Sequence, residues 1–174
     1  ELTELSFLNT PVRIVGNLPY NVGTPILIKV LNSTNDGKRF HDATLMLQRE
    51  VAERVTATPG SPDWGPLAVA TQVHADAQCV LNLPPGAFRP VPRVRSAVVR
   101  LLFRPSPIPI TDPGFFDLFV RTLFTQRRKT ALNALRFFAP KVSRLTAKEV
   151  FLLAGIDGSR RPGDLNLAEL AELS

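Results

Sequence analysis

The stretch Asn17-Leu18-Pro19-Tyr20 holds residue types at a spacing that could do chemistry. Pro19 stiffens a turn, because its ring fixes one backbone dihedral. Asn17 brings an amide oxygen, the Leu18 carbonyl can point outward, and Tyr20 presents a flat aromatic face. Two acceptors beside a π surface suit an exocyclic amino group on a planar base: the acceptors hold the amine hydrogens while the ring stacks on the base. The same four residues also suit a plain proline turn with a buried tyrosine. Phe88, set between Pro-rich turns, likewise reads either as a stacking face or as a side chain packed on the core.

Charge sets the surroundings of these residues. The 174-residue chain has 21 Lys plus Arg and 15 Asp plus Glu, a net charge of +6. The excess is local: between Pro85 and Arg144 there are twelve basic residues and two acidic ones. They are mostly Arg interleaved with Phe, which fits a polyanion-binding surface better than a Lys-rich membrane helix. A solvated basic face without a partner is the other reading. Arg127-Arg128-Lys129, with Arg121 one or two turns earlier, is a candidate phosphate clamp, and Arg89, Arg93 and Arg95 could extend it toward Tyr20. The single cysteine, Cys79, excludes an intrachain disulfide framework and a Cys-built zinc site. His41 and His74 are too far apart in sequence to suggest a metal centre, so no metal is expected. No apolar run nears the ~20 residues that span a bilayer. Glu1 to Thr10 carry two acids and no base, unlike a signal peptide, so a soluble cytoplasmic protein without membrane contact is expected.

The elements that must position these residues alternate at first. Pro11 to Gly16 reads as a buried strand. Thr24-Pro25 reads as an N-cap with Pro at the first helical position, ahead of a helix that places Ile26, Leu27, Val30 and Leu31 on one face. Asn35-Asp36-Gly37 breaks it. A strand over 43–47, a helix through Glu50 to Arg54, a loop over 58–63, a helix over 66–73 and strands over 77–83 and 96–103 follow, with a Pro-rich loop over 84–92. Cys79 and Met46 fall in strands as core residues. The run from Arg104 to Pro113 holds four prolines in ten residues and reads as a linker. Beyond it only helices are predicted, over 115–124, 130–137, 147–153 and 167–173. Thr146 and Asn166 each have Glu three residues on, a capping-box spacing, and Phe115, Phe116, Phe119 and Phe124 read as core. The fold class is therefore α/β followed by a small all-α domain, with the boundary between 1–104 and 105–174. No G-x-G-x-x-G follows a strand, so either the sheet is built differently or its first half lies outside this chain.

Five ordered segments carry a family resemblance: Val15-Gly-Asn-Leu-Pro-Tyr-Asn-Val-Gly-Thr-Pro-Ile26, Leu45 to Arg54, Pro84 through Phe88 and Val94 into Ser96-Ala-Val-Val-Arg-Leu101, Phe124 to Asn133, and Gly155-Ile-Asp157 with Arg161-Pro162. Together they resemble the small-subunit ribosomal RNA adenine N6,N6-dimethyltransferases. The chain departs from that pattern at Arg95, where the family usually has Asp, and at Gly23, where it usually has Ser. The resemblance implies transfer of methyl groups from S-adenosylmethionine to two adjacent adenosines near the 3′ end of 16S ribosomal RNA, on a Rossmann-like methyltransferase sheet. It implies that Asn17 and the Leu18 carbonyl bind the target amine across the Pro19 turn, with Asn17 also near the cofactor, and that Tyr20 and Phe88 stack on a flipped adenine. Arg89, Arg93, Arg121, Arg127, Arg128 and Lys129 would meet the RNA of the small ribosomal subunit. The family's Gly-rich cofactor turn precedes anything in this chain, which thus resembles the C-terminal half of the sheet plus the complete helical domain. Such a fragment is expected to bind cofactor poorly, to be inactive alone, and to expose an edge strand that invites a dimer. Two rivals stand beside this reading: a non-catalytic module for RNA or ribosome binding, and a related enzyme of large-subunit ribosomal RNA, against which the Phe124 to Thr130 segment and the Pro92-Arg-Val94 loop lean.

Overall fold

The structure, a computed structural model, describes residues 11–34, 38–136 and 146–174. The predicted break at 35–37, the end of the predicted helix at Phe137 and the acidic stretch 1–10 lie outside these. The described residues divide into two compact units. One takes the residues up to Thr56 together with Ala70–Pro107, and the other Ala57–Val69 with those of Ile108–Ser174. The units thus do not follow one cut at 104/105: the linker boundary falls at 107/108, and 57–69 groups with the helical segment.

The first unit is built on a four-stranded mixed sheet in the order β1-β2-β4-β3. Its strands are β1 (Val12–Asn17), β2 (Phe40–Gln48), β3 (Ala75–Leu83) and β4 (Ser96–Phe103). β1 and β2 are parallel, and β4 runs antiparallel to both β2 and β3. β1, β2 and β3 therefore point the same way. Their carboxyl ends meet the start of β4 at one end of the sheet. On one face, Ala43, Leu45 and Leu47 of β2 and Ala97, Val99 and Leu101 of β4 are buried. Helix α1 (Gly23–Asn32) buries Leu27, Val30 and Leu31, and α2 (Arg49–Val55) buries Ala52 and Val55. α3 (Pro66–His74) leads into β3, and the chain passes from one unit to the other inside it.

Several local expectations change. The strand at 11–16 is not a buried one: β1 alternates half-buried and exposed residues, and Val15 is 80% exposed. Successive side chains point to opposite faces, and the face that carries Arg13, Val15 and Asn17 is left uncovered among the described residues. Thr24 is not the N-cap; α1 starts at Gly23 behind Val22, with no side-chain cap. Cys79 is exposed because β3 is exposed on both faces over 78–82, where its register shifts between Cys79 and Leu81, while Met46 is half-buried.

Among the described residues of the second unit after Ile108, the regular elements include α4 (Pro113–Phe124), α5 (Ala131–Leu135), α6 (Ala147–Ala154) and α7 (Leu167–Glu172). α4 opens on Asp112, whose side chain accepts from the Phe115 N–H at 3.0 Å, with Pro113 at the first helical position. Phe116, Phe119 and Phe124 are core, with Phe115 half-buried and stacked on Phe119. Thr146 and Asn166 form capping boxes with Glu149 and Glu169 as their spacing predicts. Trp64 is fully buried and donates its indole N–H to the Leu165 carbonyl at 3.0 Å, which ties 57–69 to this unit. α6 ends on Gly155 at φ +66, the left-handed conformation glycine adopts without strain. Gly158 then lies so close to Leu132 and Phe151 that an added Cβ would stand 3.0 Å from the Leu132 Cβ. This approach lets the carbonyls of Gly158 and Arg160 accept the first N–H groups of α5, from Leu132 and Ala131. Among the described residues, no helix is long and apolar enough to cross a membrane.

Candidate active site

β1 ends on Asn17, in register with Met46 of β2. The ladder reaches one residue further, where the Leu18 N–H donates to the Met46 carbonyl at 3.1 Å. The chain then turns, with the Pro19 carbonyl accepting from Val22 at 3.1 Å, and enters α1. This places Asn17 and Leu18 at the carboxyl end of a parallel strand, where open α/β sheets bind ligands. Asn17 is exposed, and among the described residues nothing hydrogen-bonds its amide or the Leu18 carbonyl. A buried turn would have left these groups paired; here both acceptors are unpaired among the described residues, on an exposed Asn17 and a half-buried Leu18.

Tyr20 is half-buried, and its hydroxyl lies 2.6 Å from the Ser96 hydroxyl. Ser96 is fully buried and opens β4, in register with Gln48 on one side and Leu83 on the other. Nothing in the residue types of 17–20 pointed to Ser96; its signal is a hydroxyl at the head of an otherwise apolar run. The adjacent Arg95 carbonyl accepts the Arg49 N–H at 2.9 Å, closing the ladder at this end. An open cleft of about 340 Å³ sits here, lined by Gln48, Arg49, Glu50, Glu53, Val94 and Arg95. Arg49 is held by Glu53 at 2.7 Å, while the Arg95 side chain is exposed.

Phe88 stands in the loop that leaves β3 at this same end. A 3-10 turn at Pro85–Ala87 precedes it, and its N–H donates to Pro85 at 3.2 Å. The side chain is half-buried, and Arg89 and Arg93 beyond it are exposed. The topology therefore brings the Asn17–Tyr20 turn and the Phe88 loop to one end of one sheet. Gly23 fits the site without a side chain and leaves room for one: an added Cβ would meet Leu18 and Leu47 at 3.7 Å, ordinary contact.

The other basic candidates belong to the helical unit and differ among themselves. Arg121 is engaged by Asp117 one turn back, at 2.8 Å. Arg127 donates to the carbonyls of Pro62 and Trp64, at 2.7 and 2.9 Å, and lies over the Phe124 ring. It braces its own unit, which its place in a basic triplet did not disclose. Arg128 and Lys129 are exposed in the turns between α4 and α5.

One charged cluster had no sequence signal. Asp42 of β2 is 3% exposed, with Arg13 of β1 at 3.0 Å, Arg100 of β4 at 3.2 Å and His41 at 3.5 Å. Burial pushes its carboxyl up, but the Arg100 hydrogen bond and the charges of Arg13, His41 and Arg100 together hold it below the usual carboxylate range. The cluster crosses three strands away from the site end and fixes their register.

The family described as Ribosomal RNA adenine dimethylase matches residues 2–161. The chain is 41% identical over 165 residues to Ribosomal RNA small subunit methyltransferase A of Alcanivorax borkumensis, covering 94% of this chain and 55% of that relative. The chain thus spans little more than half the length of that relative. Among solved structures, a dimethyladenosine transferase from Plasmodium falciparum superposes with a TM-score of 0.76 at 21% identity, over 97% of this chain and 68% of that one. The 23S rRNA methyltransferase ErmE does so with a TM-score of 0.66 at 22% identity, over 95% and 65%. These two share the Rossmann-like methyltransferase fold of the sheet.

Proposed function

The chain belongs to the ribosomal RNA adenine dimethylase family, and from that premise we propose that its sheet end receives the N6 amine of an adenine in small-subunit ribosomal RNA for methylation. The observation that carries the reading is the pair of open acceptors, the Asn17 amide and the Leu18 carbonyl, beside the Tyr20 ring. An adenine amine donates its lone pair into the ring and is a poor nucleophile. Two acceptors on its hydrogens favour the pyramidal nitrogen and hold its lone pair in one direction, so the site contributes orientation and electrostatics, with no strong base required. Tyr20 and Phe88 stack on the extruded base, which offsets a flipping cost of a few kcal/mol with ~1–3 kcal/mol per stacked base. Pro19 keeps the two acceptors on one short turn.

S-adenosylmethionine, when bound, supplies an electrophilic methyl group. The residue that fits it is Asn17, whose amide NH2 can donate to a polar acceptor of the cofactor while its oxygen accepts from the amine. The sheet-bearing unit is the acceptor part of the catalytic domain, and the helical unit is the RNA-holding part. Arg89, Arg93, Arg128 and Lys129 contact phosphates directly; Arg121 does so in competition with Asp117. The reaction belongs to small-subunit assembly in the cytoplasm, and two adjacent adenosines each take two methyl groups. Among the described residues the outer edge of β1 is unpaired, and pairing there with a second copy would give a dimer that sedimentation detects.

The test is product analysis. Because this chain alone is expected to be inactive, small-subunit RNA is incubated with labelled S-adenosylmethionine and a full-length family protein that carries this chain, then digested to nucleosides and separated by mass. Label in N6,N6-dimethyladenosine is the expected result. Label confined to another nucleoside, or none, overturns the proposal.

A further inference from the structure

We infer that Ser96 is a positioning residue for the stacking face of Tyr20, an inference that rests on the reading of this site as an adenine acceptor. The Ser96 hydroxyl is fully buried, and the Tyr20 hydroxyl stands 2.6 Å from it. Ser96 lies on a strand paired on both sides, with Gln48 and Leu83, so this anchor does not move with the turn that carries Tyr20. The Tyr20 ring is held at two points, at its Cα by the Pro19–Val22 turn and at its oxygen by β4. Two fixed points set the tilt of an aromatic plane and remove its rotamer freedom before any base arrives, which is the entropy a stacking partner would otherwise lose on binding. The anchor also occupies the Tyr20 hydroxyl, so Tyr20 acts through its face and not as a proton donor to the amine. Leaving the buried Ser96 hydroxyl without its partner is unfavourable, so the two groups work as a unit.

Tyr20 is the only tyrosine in the chain, and Tyr20→Phe removes the hydroxyl while keeping the ring. The experiment titrates the chain and its Ser96→Ala, Tyr20→Phe and double variants with an RNA carrying two adjacent unpaired adenosines, one replaced by fluorescent 8-vinyladenosine, which keeps the 6-amino group. A control RNA has uridines at both positions. The expected result is that the wild-type chain quenches the fluorescence on binding. Each single variant weakens affinity for the adenosine RNA about 3–10-fold and restores fluorescence of the bound state, while affinity for the uridine control is unchanged. The double variant is no worse than either single one, because both delete the same interaction. Thermal unfolding is followed for all four, and Tyr20→Phe carries the test by itself if Ser96→Ala fails to fold. Single variants that bind and quench like wild type, or effects that multiply in the double variant, overturn the inference. A wild-type chain that binds the RNA without quenching overturns the acceptor-site reading itself.

Discussion

At the residue scale, the site rests on groups left unpaired and the stability on groups that are paired. Asn17 and Leu18 keep open acceptors at a strand end, while 25 positions further along the chain Asp42 is buried among Arg13, His41 and Arg100. The carboxyl of Asp42 is held below its unfolded value of about 3.9, so it stabilises the fold above that value. The stabilisation is lost as pH falls through the lower folded value. Unfolding followed by denaturant between pH 7 and pH 2 is therefore expected to show a steep loss below about pH 4. In Asp42→Asn that acid-dependent part is reduced, and the variant is about 1–2 kcal/mol less stable at pH 7, the figure being small because Arg13 and Arg100 are more than half exposed. Arg127 and Arg128 are neighbours with opposite expectations. Arg127→Ala loses two carbonyl contacts and the Phe124 ring, and it should lower the unfolding midpoint of the helical unit by several degrees. Arg128→Ala should leave the midpoint alone and reduce the salt slope of RNA binding by about 1. Differential scanning calorimetry and binding at several salt concentrations separate the two.

At the element scale, helix ends were the most legible feature of the sequence. Thr146 and Asn166 cap α6 and α7 with Glu149 and Glu169, as the three-residue spacing implies. Replacing Thr146 with Ala should cost about 1 kcal/mol, read as a shift in denaturant midpoint. The α4 phenylalanines were legible for the same reason, a helical period that needs no knowledge of the rest of the chain. What could not be read was which strand faces are covered. That depends on packing from elsewhere in the chain, so a β-branched run looked buried although Val15 is 80% exposed. Cys79 misled in the same way, since β3 is exposed on both faces over 78–82. Within the proposed site, the Asn17–Tyr20 turn could be singled out in the sequence as a cluster of types. Ser96 was not, because its meaning comes from a contact 76 residues away in sequence. The role of Arg127 was hidden for the same reason, its partners lying 63 and 65 residues upstream.

At the scale of the whole molecule, the proposed acceptor turn and the Phe88 loop lie in the sheet-bearing unit, while the proposed phosphate contacts are shared between that unit (Arg89 and Arg93) and the helical unit (Arg128 and Lys129). Binding to RNA through phosphates is then separable from acceptance of the base, since phosphate contacts position and base contacts specify. The measurement that tests this most directly compares Asn17→Ala with the unaltered residue, both in a full-length family protein that carries this chain, in two assays on the same small-subunit RNA, methyl incorporation and RNA affinity. The predicted result is a fall of about 10²–10³-fold in methylation, the loss typical of one oriented polar contact in a reacting site, with affinity within about twofold, because phosphate contacts dominate binding. Methylation that survives the substitution, or that falls only as far as RNA affinity falls, would contradict the account.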